Sequence, residues 1–251
     1  MCYNEKYMRE YFKGLKTPFH VYNRGTDKRV IFTDYDEYCR FVFLMWVCRV
    51  GSPAINLSRK NIIDAAETIL RGEEPSTKLY TKEYSPLIAL ITWNILPNHF
   101  HFVLTSMTDG GIAKYMSKLG NAYTKYFNAR HERSGRLFQG SYQSIEVKDT
   151  NYLFTLIRYV NLNHIELVEP LWGEGEIENE TKAANFANTY QWSAHQDYLG
   201  TRSSLLIDKE SVSNLLENGF DENGGLNGYL DVLDRSYIED CKLIKKYNFE
   251  S

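Results

Sequence analysis

The chain has 251 residues, 43% apolar and 14% aromatic, enough to bury a large core. The apolar run at 41–48 is too short to cross a bilayer, and Cys2, Cys39, Cys48 and Cys241 form no C-x-x-C pair, which excludes a cysteine zinc site and a disulfide framework. The net charge of −3 hides an asymmetry: residues 1–165 carry 22 Lys and Arg against 15 Asp and Glu, whereas residues 166–251 carry 7 against 17.

In chain order, the opening Glu5, Lys6, Arg9 and Glu10 lacks the apolar core of a signal peptide, so a cytoplasmic protein is expected. Residues 19–25 read as a strand closed by Gly25. A helix then starts near Thr33 or Asp34, with Tyr38, Phe41, Leu44 and Cys48 on its apolar face. The polar stretch at 51–85 reads as an insertion with its own helix at 60–70. Residues 87–95 are nearly unbroken in apolar character, as a buried strand requires, and Pro97-Asn98 turns the chain into a second strand from His99.

Between 111 and 130, Ile112, Tyr115, Met116, Leu119, Tyr123 and Phe127 recur at helical spacing. Residues 142–147 form a further strand, and a last helix capped by Asp149 or Thr150 runs to about residue 164. The order β, α, β, β, α, β, helix predicts an α+β fold with a ferredoxin-like split βαβ core and an antiparallel sheet. A helical insertion and a helical C-terminal extension complete it. The expected division is a domain at 1–165, interrupted at 51–85, and an acidic, mainly helical extension at 166–251. The linker is expected at 173–180, with helices near 210–218 and 229–247.

The chemistry concentrates in two places. His99 and His101 are two apart on a predicted strand, so they share one face while Phe100, Phe102 and Leu104 share the other. Imidazoles so spaced can converge on one divalent metal. The last helix carries Tyr159 and Asn163 four apart on one face, with Arg158 beside them. Tyr152, seven residues earlier, is the rival nucleophile. Arg24, Lys114, Lys118, Lys125, Arg130, Arg136 and Arg158 form a basic set suited to a phosphate backbone, and Tyr22, Phe138 or Tyr142 could stack on bases. Arg24 and His20 are candidate neighbours of the site.

These stretches together resemble a known family. Residues 20–25 (HVYNRG), 96–101 (LPNHFH), 123–128 (YTKYFN), 135–144 (GRLFQGSYQS), 158–163 (RYVNLN) and Trp192-Ser193 look like the single-tyrosine HUH transposases of insertion sequences, most of all their REP-associated tyrosine transposase branch. The resemblance runs from 18 to about 195. It departs from the family at His164, where Pro is common, and at Ser141, where Arg is common.

The resemblance implies that His99, His101 and Asn163 bind Mg²⁺ or Mn²⁺, that Tyr159 is the nucleophile, and that single-stranded or hairpin DNA is the partner. Cleavage would leave a 5′-phosphotyrosine and a free 3′-OH, which supports strand transfer. A monomer is expected, with a homodimer as the alternative. The competing functions are a non-cleaving nucleic-acid-binding protein derived from a transposase and a metal-dependent hydrolase that uses water.

Overall fold

A computed structural model describes residues 17–50, 59–75, 85–174, 176–216 and 229. Its elements are β1 (Pro18–Arg24), α1 (Tyr35–Cys48), α2 (Arg59–Leu70), β2 (Ile88–Leu96), β3 (His99–Ser106), α3 (Gly111–Arg130), β4 (Gln143–Glu146), α4 (Thr150–Leu162), α5 (Glu180–Thr189), α6 (His195–Tyr198) and α7 (Lys209–Leu215).

Local chemistry sets the main boundaries. Gly25 ends β1 because a Cβ there would lie 2.4 Å from the Arg29 carbonyl oxygen. The Asp34 side chain accepts from Glu37 N at the start of α1, and the buried Glu37 carboxylate accepts in return from Thr33 N (2.7 Å) and Thr33 Oγ1 (2.9 Å). This reciprocal arrangement satisfies donors that a helix start leaves open. Gly111 opens α3 at a point where a Cβ would meet the Leu87 carbonyl oxygen at 2.1 Å. Asp149 caps α4 by accepting from Tyr152 N.

The sheet order is β2-β3-β1-β4, with every neighbouring pair antiparallel. Thus β3 lies between β1 and β2, the strands joined through α1 and α2, and β1 lies between β3 and β4, the strands joined through α3. This is the expected split βαβ topology. Phe100 and Phe102 face α1 and α3, where Phe41 lies 5.2 Å from Phe100 and 4.9 Å from Tyr123 between ring centroids. Phe41 has no exposure, so truncating it to Ala would cost about 3–5 kcal/mol.

The C-terminal segment closes the free edge of β2. Ile95 N donates to the Trp192 carbonyl and Ala194 N to the Trp93 carbonyl, both at 2.9 Å, and Asn94 bridges to Ser193. At the β2 irregularity between Leu90 and Thr92, the Ile91 carbonyl accepts from Tyr198 Oη at 2.8 Å. An exposed sheet edge is thereby covered.

Two expectations are refined. Helix α4 ends at Leu162 and tightens into a 3₁₀ turn, Asn163–Leu167, instead of running to 164 as one helix. The segment expected as a linker packs on the protein: Trp172 is buried, and the buried Glu169 carboxylate accepts from Glu178 N at 2.9 Å. The helix expected at 229–247 lies outside the described residues apart from buried Tyr229, as do 51–58 and 76–84 of the insertion. Among the described residues no helix is long and apolar enough to cross a membrane, and Cys39 and Cys48 are buried thiols.

Candidate functional site

Strand register makes one face of the sheet polar. Arg24 lies opposite His99, Tyr22 opposite His101 and His20 opposite Val103, while on the other side Asn94 lies opposite His101 and Thr92 opposite Val103. Paired residues in register share a face. The two expected histidines are therefore joined by His20, Tyr22, Arg24, Thr92 and Asn94, with the apolar core on the reverse.

The imidazoles are held in defined ways. His99 Nδ1 lies 2.6 Å from Asn98 Oδ1, and the Asn98 amide is oriented by donation from its Nδ2 to the Lys28 carbonyl at 3.2 Å. A carboxamide oxygen only accepts, so His99 carries its proton on Nδ1 and keeps a lone pair on Nε2. His101 Nδ1 lies 3.0 Å from His20 Nε2, and His101 lies 5.0 Å from the His99 ring at 87°. With the shared proton on His101 Nδ1, that imidazole also keeps its Nε2 lone pair. Burial pushes His99 well below the usual histidine range, helped by His101 and Arg24. Burial, then His101, does the same to His20. Neutral imidazole is the form that ligates a metal.

Helix α4 docks on this face through buried polar contacts. Asn94 Nδ2 donates to the Val160 carbonyl at 2.7 Å and lies 3.3 Å from His164 Nδ1. Thr92 Oγ1 donates to Asn161 Oδ1. Val160 is among the last four helical residues, whose carbonyls lack partners within the helix, so Asn94 caps α4 from the neighbouring strand. This docking brings the Tyr159 ring to 6.2 Å from that of His101 at 79°, with Tyr159 only 2% exposed. Asn163 follows as the C-cap and is also buried. Tyr152 lies two turns earlier and is half-buried.

Sequence reasoning missed three residues here. Asn98 and Asn94 orient His99 and α4. Glu166 brings Oε1 to 4.0 Å from His99 Nε2. The turn pair Pro97-Asn98 gave a signal for Asn98, but it was read as turn chemistry alone. Nothing in a linear pattern marked Glu166 while the helix was taken to end near 164.

The expected DNA-binding residues fall in several places. Arg24 shares the histidine face. Lys114 and Lys118 donate to the Asp109 and Val50 carbonyls, at 3.0 and 2.8 Å, and Lys125 is exposed on the same helix. Arg130 is bonded to both Asp34 oxygens, at 3.1 and 2.5 Å, and to Tyr126. Arg158 is buried with its guanidinium over Phe154. Arg136 is exposed and lines a groove of about 650 Å³ with Asn23, Gly120, Ser141 and Tyr142, beside α3 and the 135–142 segment. Helix α3 packs on the Phe100 side, so these cations do not surround the histidines.

The metal implied by the sequence was tested against the donor set. Among the described residues no three His, Cys, Asp or Glu side chains gather as a metal-binding group. The buried His99 Nε2 has no hydrogen-bond partner there, and its neighbours include oxygen-bearing Glu166. Two imidazoles with an oxygen donor fit a divalent ion such as Mn²⁺, which accepts nitrogen more readily than Mg²⁺.

Residues 69–163 match the family described as "Transposase IS200 like". The match spans β2, β3, α3, β4 and α4, and over these residues the chain belongs to that family. No curated protein matches the chain. Among solved structures, one described as "Structure of the REP associates tyrosine transposase bound to a REP hairpin" is similar at 13% identity and a TM-score of 0.38, covering 72% of this chain and 78% of that one.

Proposed function

We propose that this protein is a metal-dependent transposase that cleaves and rejoins single-stranded DNA at or near hairpins through a 5′-phosphotyrosine. The observation that carries this reading is the approach of Tyr159 to a pair of buried histidines, with the ring of Tyr159 at 6.2 Å from that of His101. His99, His101 and Asn163 would hold Mg²⁺ or Mn²⁺. Such an ion, when bound, neutralises charge on the non-bridging phosphate oxygens.

The chain's own groups do the rest. Tyr159 Oη attacks phosphorus, gives up its proton to solvent, and forms the tyrosine–phosphate bond as the bond from phosphorus to the 3′ oxygen breaks. The departing 3′ oxygen takes up a proton. The 5′ end stays on the enzyme, and a later 3′-OH can reverse the step with no net loss of ester bonds. His20 and Asn98 hold the two imidazoles in place, and Asn94 fixes the helix that presents Tyr159. Arg24, on the same face, supplies a cation for the phosphate backbone, and the cations of α3 and Arg136 supply further contacts at a distance from the chemistry.

Incubation of the full chain with a labelled single-stranded hairpin oligonucleotide and Mn²⁺ tests this reading. The expected result is a denaturation-resistant protein–DNA adduct, absent in chelator. Cleavage without an adduct would point to a hydrolase. Binding without cleavage would point to a non-cleaving DNA-binding protein, and either outcome rejects the proposal.

A further inference from the structure

We infer that Glu166 is a metal ligand of this site, an anionic oxygen donor added to the two histidines; the inference rests on the metal-dependent reading above. The argument begins with helix geometry. Tyr159 and Asn163 are four apart along α4 and its cap, and so fall on one face. At Asn163 the chain tightens into the 3₁₀ turn Asn163–Leu167, in which residues three apart eclipse one another. Asn163 and Glu166 are three apart. The change of helix type therefore extends a single line of side chains from Tyr159 through Asn163 to Glu166, along the face turned to the histidines.

The contact agrees with that line. Glu166 Oε1 lies 4.0 Å from His99 Nε2, the nitrogen left with a lone pair by the Asn98 contact at Nδ1. Donor-to-ion distances of roughly 2.1 Å place two ligands of one ion between about 3 Å apart at right angles and about 4.2 Å apart when opposite. The observed separation falls within that span, and it is too long for a hydrogen bond. His99 is neutral at physiological pH, so the approach is not an ordinary ion pair.

Charge supplies the chemical reason. His99, His101 and Asn163 are neutral donors, and Arg24 lies opposite His99 in the sheet. A hard divalent ion prefers carboxylate oxygen, and a buried 2+ charge beside a guanidinium needs a compensating anion. Glu166 is only partly buried, with its side chain 30% exposed, so it can reach an ion at the mouth of the site without a large desolvation cost.

The test is titration of the full chain with Mn²⁺ alone, following free Mn²⁺ by its spin-resonance signal, in wild type, Glu166→Gln, Glu166→Asp and His99→Ala. The inference expects Glu166→Gln to weaken Mn²⁺ binding by about tenfold or more. Glu166→Asp, which keeps the charge and serves if the Gln variant folds poorly, should recover most of that loss. Thermal melting without metal checks that each variant is folded. Wild-type affinity in folded Glu166→Gln would overturn the inference and leave the two-histidine reading standing. Equal binding by wild type and His99→Ala would overturn that reading, and this inference with it.

Discussion

Replacing Asn94 with Leu should uncouple the helix that carries Tyr159 from the sheet. Asn94 has no solvent exposure, donates to the Val160 carbonyl at 2.7 Å, and lies 3.3 Å from His164 Nδ1. Leu matches Asn closely in volume, so little cavity energy is added, and the cost comes from the abandoned partners. A buried polar group left without its partner costs roughly 1–3 kcal/mol. The Val160 carbonyl and the His164 nitrogen together give about 2–5 kcal/mol. For a chain of this size, each kcal/mol lowers Tm by about 2–4 °C, so a drop on the order of 4–20 °C is expected. Urea denaturation followed by far-ultraviolet circular dichroism measures the free energy, and calorimetry measures Tm. A change below about 0.5 kcal/mol would refute the claim that Asn94 caps α4.

Three further outcomes follow from the same contacts. Burial depresses His164 to about 3 and His195 to about 4, the former aided by His195 and the latter by Arg202. Below the unfolded value near 6.5, the unfolded chain binds protons that the folded chain refuses, so stability falls as pH drops; from pH 7.5 to 5.5 each histidine should cost about 1.4 kcal/mol, and a flat urea midpoint over that range would contradict it. Gly111→Ala should destabilise by roughly 1–3 kcal/mol because its Cβ would meet the Leu87 carbonyl at 2.1 Å, whereas Gly120→Ala, with open space, should stabilise by about 0.5–1 kcal/mol; thermal melts of the pair should move in opposite directions. Asn98→Ala removes the acceptor at His99 Nδ1 and should slow adduct formation on the order of 10–100-fold, so an unchanged rate would show that the contact does not orient His99.

The elements that announce themselves by periodicity were legible in the sequence. Ile112, Tyr115, Met116, Leu119, Tyr123 and Phe127 define a stripe that matches Gly111–Arg130, and the Asp34 and Asp149 caps fall where the polar residues stand before those apolar runs. The order of elements implied the sheet topology, since a split βαβ arrangement leaves few alternatives. The histidine face was legible because strand alternation is strict. Its partners were not: Asn94 and His20 join it only through register, which pairs residues far apart in sequence. Glu166 was hidden by a change from α to 3₁₀ geometry that propensity alone does not reveal. The covering of β2 by residues 192–194 was equally hidden, because three residues are too few to carry a strand pattern. For Arg130 the sequence offered a free cation, but its neighbours in space are Asp34 and Glu37, whose approach depends on the packing of α1 against α3.

The most direct measurement is the identity of the residue that holds DNA. After reaction with a single-stranded hairpin oligonucleotide and Mn²⁺, the adducted peptide can be isolated and sequenced by mass spectrometry. The account expects the phosphodiester on Tyr159, with the adduct lost in Tyr159→Phe and retained in Tyr152→Phe. An adduct on Tyr152, or one that survives Tyr159→Phe, would contradict it.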